Sequence, residues 1–196
     1  MKLTITRHGE TIENIKGILQ GQMDGTLSQN GIQQAKKLAK RLKDEKIDYI
    51  FSSDLKRAVD TTKKILKYHP EIKPIYVKEL REQDLGEIQG KNRDEVNWDS
   101  DTLTTANRAK NAETLKEFFD RVSSFLDKVI KEYNDKNVLL VCHGGVSKIL
   151  IASLQGKNIE DLANVERIKN TSITTFEIDK DRNYKTLSFN CTKHLE

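Results

Sequence analysis

The segment Leu3-Thr4-Ile5-Thr6-Arg7-His8-Gly9-Glu10 decides how the rest of the chain reads. A short apolar run of strand length ends in a cation, an imidazole and a glycine. In open α/β sheets, ligands bind beyond the carboxyl ends of the strands, which is where Arg7 and His8 would fall. Glycine allows a sharp turn and close approach of a ligand. The planar fork of an arginine suits phosphate oxygens, and histidine is a nitrogen nucleophile that titrates near neutrality. Taken alone, Arg7-His8-Gly9-Glu10 is equally an ordinary strand-to-loop junction, because short motifs recur by chance.

A second segment repeats the pattern. Asn137-Val138-Leu139-Leu140-Val141-Cys142 is a continuous apolar run, and it ends in His143-Gly144-Gly145. Two of the four histidines therefore follow buried-type strands and precede glycine. A lone histidine of this kind is more often structural. Two at equivalent strand ends predict two walls of one site.

Between and beyond these runs, strand-like and helix-like segments alternate, which predicts an α/β fold with a largely parallel sheet. Residues 2–6 read as the first strand and 10–27 as a loop with a turn of helix. Ser28 predicts an N-cap, followed by Ile32, Ala35, Leu38, Ala39 and Leu42 on one helical face. Residues 48–52 read as a strand. The next helix carries Leu55, Ala58, Val59, Thr62, Ile65 and Leu66, with Asp54 expected as its cap. Pro70 and Pro74 bracket a turn before a strand at 75–77. From Glu82 to Ala112 the pattern is irregular. Leu115, Phe118, Phe119, Val122, Phe125, Leu126, Val129 and Ile130 then mark the cleanest helix, and Val146, Ile149, Leu150 and Leu154 another. Strands near 172–178 and 184–190 predict a closing antiparallel hairpin across Asp179–Asn183.

The chain has 196 residues, so residues 1–194 read as one domain with a full core. Leu195-Glu196 has the look of a vector-derived scar and stays outside the fold reading. Lys plus Arg number 34 against 30 Asp plus Glu, a net +4. That balance reads as a solvated lysine-rich surface. No basic run is interleaved with aromatics, so no nucleic-acid partner is expected. The two cysteines, Cys142 and Cys191, form no disulfide or zinc pattern. No apolar run reaches membrane-spanning length and no signal peptide is legible, so no membrane partner and a cytoplasmic location are expected.

Four blocks together resemble the histidine phosphatase, or phosphoglycerate mutase-like, superfamily. They are Arg7-His8-Gly9-Glu10-Thr11 with Asn14 downstream, Ser52-Ser53-Asp54-Leu55-Lys56-Arg57-Ala58, Leu80-Arg81-Glu82 with Leu85-Gly86-Glu87-Ile88-Gln89-Gly90, and His143-Gly144-Gly145. They come in the family's order and span Lys2 to about Asn190. The resemblance implies a three-layer α/β/α sandwich. It also implies His8 as nucleophile, Arg7, Arg57 and Asn14 as phosphate ligands, and Glu82 as general acid and base. His143 is expected to complete the pocket as a donor, with the imidazolium as one form open to it. Gly144 would add a backbone N–H. Glu10 and Glu87 are the competing carboxylates.

The resulting expectation is a phosphomonoesterase that works on a small phosphorylated substrate through a phosphohistidine, with no cofactor and no metal. A zinc site finds no supporting spacing, and Arg7 beside His8 would repel a dication. The stretch after Gly90 is short and lacks the paired basic residues of the family's mutases. Phosphatase is therefore preferred, with phosphoglycerate mutase as the alternative. An inactive phospho-ligand-binding domain is the alternative of another class. The substrate and the oligomeric state are not legible in the sequence.

Overall fold

The computed structural model describes residues 1–99 and 103–196. Six strands form one sheet: β1 (Lys2–Arg7), β2 (Tyr49–Ser53), β3 (Ile75–Val77), β4 (Asn137–Cys142), β5 (Ile173–Ile178) and β6 (Tyr184–Cys191). Their order is β3-β2-β4-β1-β5-β6. The first four run parallel, while β5 and β6 add an antiparallel edge. The helices are α1 (Ile12–Ile15), α2 (Gln29–Leu42), α3 (Lys56–Ile65), α4 (Leu115–Glu132) and α5 (Gly144–Leu154). The fold is the expected mostly parallel α/β/α sandwich.

One face of the sheet is covered by α2 and α3, which bury Leu38, Ala39, Leu42, Ala58 and Ile65 against Ile50, Leu139 and Val141. The other face carries α4 and α5 and the larger core. There Phe118, Val122, Leu126 and Ile149 pack on Leu3, Ile5, Leu140 and Phe176. At about 25 cal/mol per Å² of apolar surface, this burial is the main force holding the layers together. The stripes differ in a telling way. In α2 and α4 one face is buried, whereas α5 is buried along Gly144–Ala152. A helix that is apolar all round lies deep in the layer.

The helix starts explain the loop positions. Ser28 caps α2 as expected, accepting from the Gly31 N–H at 2.9 Å. α4 opens with a reciprocal capping box between Thr114 and Glu117. The expected Asp54 cap on α3 is wrong. The N-cap is Leu55, without a side-chain bond. The Leu55 N–H is taken by Ser53 Oγ at 3.2 Å. Asp54 turns away because a stronger partner, the Arg81 guanidinium, claims both its oxygens.

β1 and β4 are neighbours at the centre of the sheet, paired in register with Arg7 opposite Cys142. The ladder continues one step further, with the His8 N–H donating to Cys142 O at 3.0 Å. The two His-Gly turns therefore leave the sheet side by side.

Candidate active site

The two histidines meet beyond the carboxyl ends of β1 and β4, with ring centroids 5.1 Å apart. Both are almost fully buried. His8 Nδ1 lies 2.7 Å from Gly9 O. A carbonyl only accepts, so Nδ1 carries the proton and Nε2 keeps the lone pair. Burial, then the charges of Arg57 and Arg7, push the ring's pKa well below its ordinary value of 6.5. His8 is thus a neutral imidazole with one free nitrogen.

The turn that carries His8 is held tightly. Gly9 N–H donates to Thr61 Oγ1 at 3.0 Å. A side chain on Gly31, in the first turn of α2, would put its Cβ 1.9 Å from Glu10 O. Glycine at 31 lets α2 dock directly on the backbone of this turn. Glu10 itself accepts from Ser28 Oγ at 2.7 Å and Asn30 Nδ2 at 3.3 Å. It serves the α2 junction and does not line the cavity.

Arg57 projects from the first turn of α3 and is 1% exposed. Its Nε donates to His143 Nδ1 at 3.1 Å, and its two Nη atoms donate to Met23 O and Gly21 O, each at 2.8 Å. Three of the five N–H donors are spent on fixing the plane, which leaves one on each Nη. Desolvation lowers its pKa to about 10, with Glu82 opposing the shift. Arg7 is lowered to about 9 by desolvation and then by Arg167. Both remain cations near neutrality.

His143 is placed differently from expectation. An arginine Nε only donates, so His143 Nδ1 is the unprotonated nitrogen. Its Nε2–H then donates to Ser53 Oγ at 2.8 Å. Burial, Arg57 and His8 hold its pKa well below 6.5. The imidazolium form is therefore disfavoured, because a second charge here would be desolvated beside a guanidinium. Both ring nitrogens face protein groups. In the same turn, the Gly145 N–H donates to Glu82 Oε2 at 3.0 Å.

Glu82 stands on the loop after β3. Its Oε1 accepts from the Gln83 N–H at 3.1 Å. The loop is tied down from two sides. Arg121 of α4 pairs with both Glu113 oxygens at 2.7 Å and donates to the carbonyls of Glu79 and Arg81 at 2.7 and 3.0 Å. Arg81 grips Asp54. Glu87 is exposed and lies outside the cavity.

These groups wall one open cavity. Arg7, His8, Asn14, Arg57, Glu82 and Gly145 line it. Asn14 also caps α1, its Oδ1 accepting from the Thr11 N–H at 3.2 Å. His143, bonded to Arg57 and beside His8, is not itself among the lining residues, and Gly145 takes the lining place expected of Gly144. Residues not anticipated from the sequence are also present. Arg167 lines the cavity, and Arg93, Trp98 and Leu103 bring the stretch after Gly90 to the wall. Among the described residues, no group of three or more His, Cys, Asp or Glu is placed to hold a metal ion. No helix is long and apolar enough to cross a membrane, among the described residues.

The family model of the histidine phosphatase superfamily (branch 1) matches residues 3–192. Phosphoglycerate mutase-like protein 4 of Arabidopsis thaliana is 30% identical over 204 residues, covering 100% of this chain and 87% of its own. A broad-specificity phosphatase of Saccharomyces cerevisiae is 32% identical over 188 residues, covering 92% of this chain and 81% of its own. The solved structure of YhfR from Bacillus stearothermophilus is similar with a TM-score of 0.88 at 27% identity, covering 100% of this chain and 99% of its own.

Proposed function

This chain belongs to the histidine phosphatase superfamily, and on that footing we propose that it is a phosphomonoesterase acting on small phosphorylated metabolites through a phosphohistidine. The observation that carries the reading is His8: a neutral imidazole whose Nδ1 is pinned on Gly9 O and whose Nε2 is free, in a cavity walled by guanidinium groups. A pure phosphate binder has no need of an unprotonated nitrogen there.

In the first step, His8 Nε2 attacks phosphorus and the P–O bond to the leaving group breaks. Arg7 and Arg57 meet the charge on the non-bridging oxygens, and Asn14 donates to the same group. Glu82, protonated for this step, gives its proton to the departing oxygen. In the second step, water attacks phosphorus, the P–N bond breaks, and the Glu82 carboxylate takes the water proton. His8 returns to its neutral form and inorganic phosphate leaves. Every charge in this sequence is met by the chain's own residues, so activity is expected without added metal.

His8→Ala tests the proposal. It is expected to abolish hydrolysis of an aryl phosphate while circular dichroism stays native. The parent, quenched in alkali, is expected to yield an acid-labile, base-stable phosphoenzyme that the variant lacks. Turnover of His8→Ala within tenfold of the parent would remove His8 as nucleophile. The name of the Arabidopsis relative favours one second reading, mutase activity. It would stand if the parent isomerised phosphoglycerate faster than it released phosphate from any substrate.

A further inference from the structure

We propose that Arg167 is a third guanidinium on the phosphoryl group, seated against the amino end of α5 because residue 144 has no side chain. This inference rests on the phosphatase reading above and adds a ligand that no sequence motif marks.

Arg167 lines the same cavity as Arg7, His8, Arg57 and Glu82. Its guanidinium occupies the place where a side chain on Gly144 would begin. A Cβ built on Gly144 would fall 2.6 Å from Arg167 Nε, 2.7 Å from Nη2 and 3.0 Å from Cζ. Any side chain at 144 would therefore occupy the space the guanidinium uses. This gives Gly144 a role other than donating its N–H: it is the seat of Arg167.

The segment that presents Arg167 is fastened to the nucleophile's strand. Arg7 Nη1 reaches Ile168 O at 3.4 Å, Asn170 Nδ2 donates to His8 O at 2.9 Å, and the Thr171 N–H donates to Arg7 O at 2.9 Å. Thus three hydrogen bonds join β1 to the 168–171 segment, directly after Arg167. Like charges held together in this way favour an anion between them. Arg167 is among the charges that lower both Arg7 and His8, in keeping with that proximity. A phosphoryl dianion is a group whose charge suits such a cluster. A guanidinium is the side chain suited to that contact, since its fork matches two phosphoryl oxygens.

The test uses inorganic phosphate binding by calorimetry, orthovanadate inhibition, and KM for an aryl phosphate with a single acidic group. Arg167→Ala is expected to weaken all three roughly ten- to hundredfold, the scale of a charge-assisted hydrogen bond lost from a desolvated site. Arg167→Lys keeps the charge without the fork and is expected to fall between. Gly144→Ala is expected to reproduce the loss by displacing the guanidinium, and the double variant to be no worse than either single one. Parent-like phosphate affinity in a folded Arg167→Ala protein would overturn the assignment. So would a loss confined to substrates with a second acidic group. Additive losses would overturn the seating role of Gly144. Phosphate binding needs no turnover, so a parent that binds phosphate but hydrolyses nothing would count against the phosphatase reading alone.

Discussion

Arg81 and Asp54 form a two-pronged ion pair, Nε to Oδ1 and Nη2 to Oδ2, both at 2.6 Å. It ties the loop bearing Glu82 to the turn that launches Arg57. The pair lowers Asp54 and raises Arg81 from their ordinary pKa values, chiefly through these hydrogen bonds. Arg81→Met is expected to cost about 1–2 kcal/mol of stability, since both side chains are less than a third exposed. It should lower kcat roughly tenfold by loosening Glu82 while phosphate affinity changes little. Urea melts and steady-state kinetics check this. A change in KM with kcat intact would mean the pair serves Arg57 instead.

Two neutral buried histidines make folding sensitive to mild acid. His8 and His143 both have folded pKa values well below 6.5. Below that value the unfolded chain takes up two protons that the native state refuses. The stability these groups allow is full above pH 6.5 and is lost as pH falls from there, by about 1.4 kcal/mol per proton per pH unit. Carboxylates with lowered values add their own losses only further down. The urea midpoint should therefore fall between pH 7 and pH 5, and His143→Gln should remove about half the slope. A flat midpoint over that range would contradict the burial argument.

Glu82→Gln separates acid catalysis from binding. An alkyl phosphate needs a proton on its leaving oxygen, and an aryl phosphate needs it far less. The variant is expected to lose about a hundredfold to ten-thousandfold on the alkyl ester and clearly less on the aryl ester. Phosphoenzyme should accumulate, because water attack has lost its base. Equal losses on both esters without accumulation would point to another carboxylate.

Gly31→Ala tests the docking of α2 on the catalytic turn. Its Cβ would lie 1.9 Å from a backbone oxygen, that of Glu10, which no rotamer change can move. Overpacking of this kind typically costs about 1–3 kcal/mol. A lower melting temperature and weakened activity are expected together. Parent-like values for both would show that α2 can retreat without disturbing His8.

The central strands and the long helices were legible because their signals are local. Leu3–Thr6 alternates apolar residues with threonines, Val138–Cys142 is a continuous apolar run, and the Leu115–Ile130 stripe repeats at helical spacing. The Thr114-x-x-Glu117 capping box was equally local and could have been read from the spacing. What failed depended on distant partners. Asp54 looks like a cap until Arg81, 27 residues on, competes for it. His143 looks like a free donor until Arg57 and Ser53 take both nitrogens. Arg167 belongs to no pattern at all, and only the closure of 168–171 onto β1 brings it to the cavity.

The pairing of Arg7 with Cys142 across β1 and β4 acts as a ruler for the whole site. The spacing of the two imidazoles is set by neighbouring strands at the centre of the sheet. Another part of the wall comes from Arg93, Trp98 and Leu103, on a stretch outside the sheet. Substitutions at Arg93, Trp98 or Leu103 are expected to change which substrates are admitted and to leave the proposed phosphoryl chemistry in place. A single residue inserted into β4 would invert the facing of its end and remove that chemistry in one step.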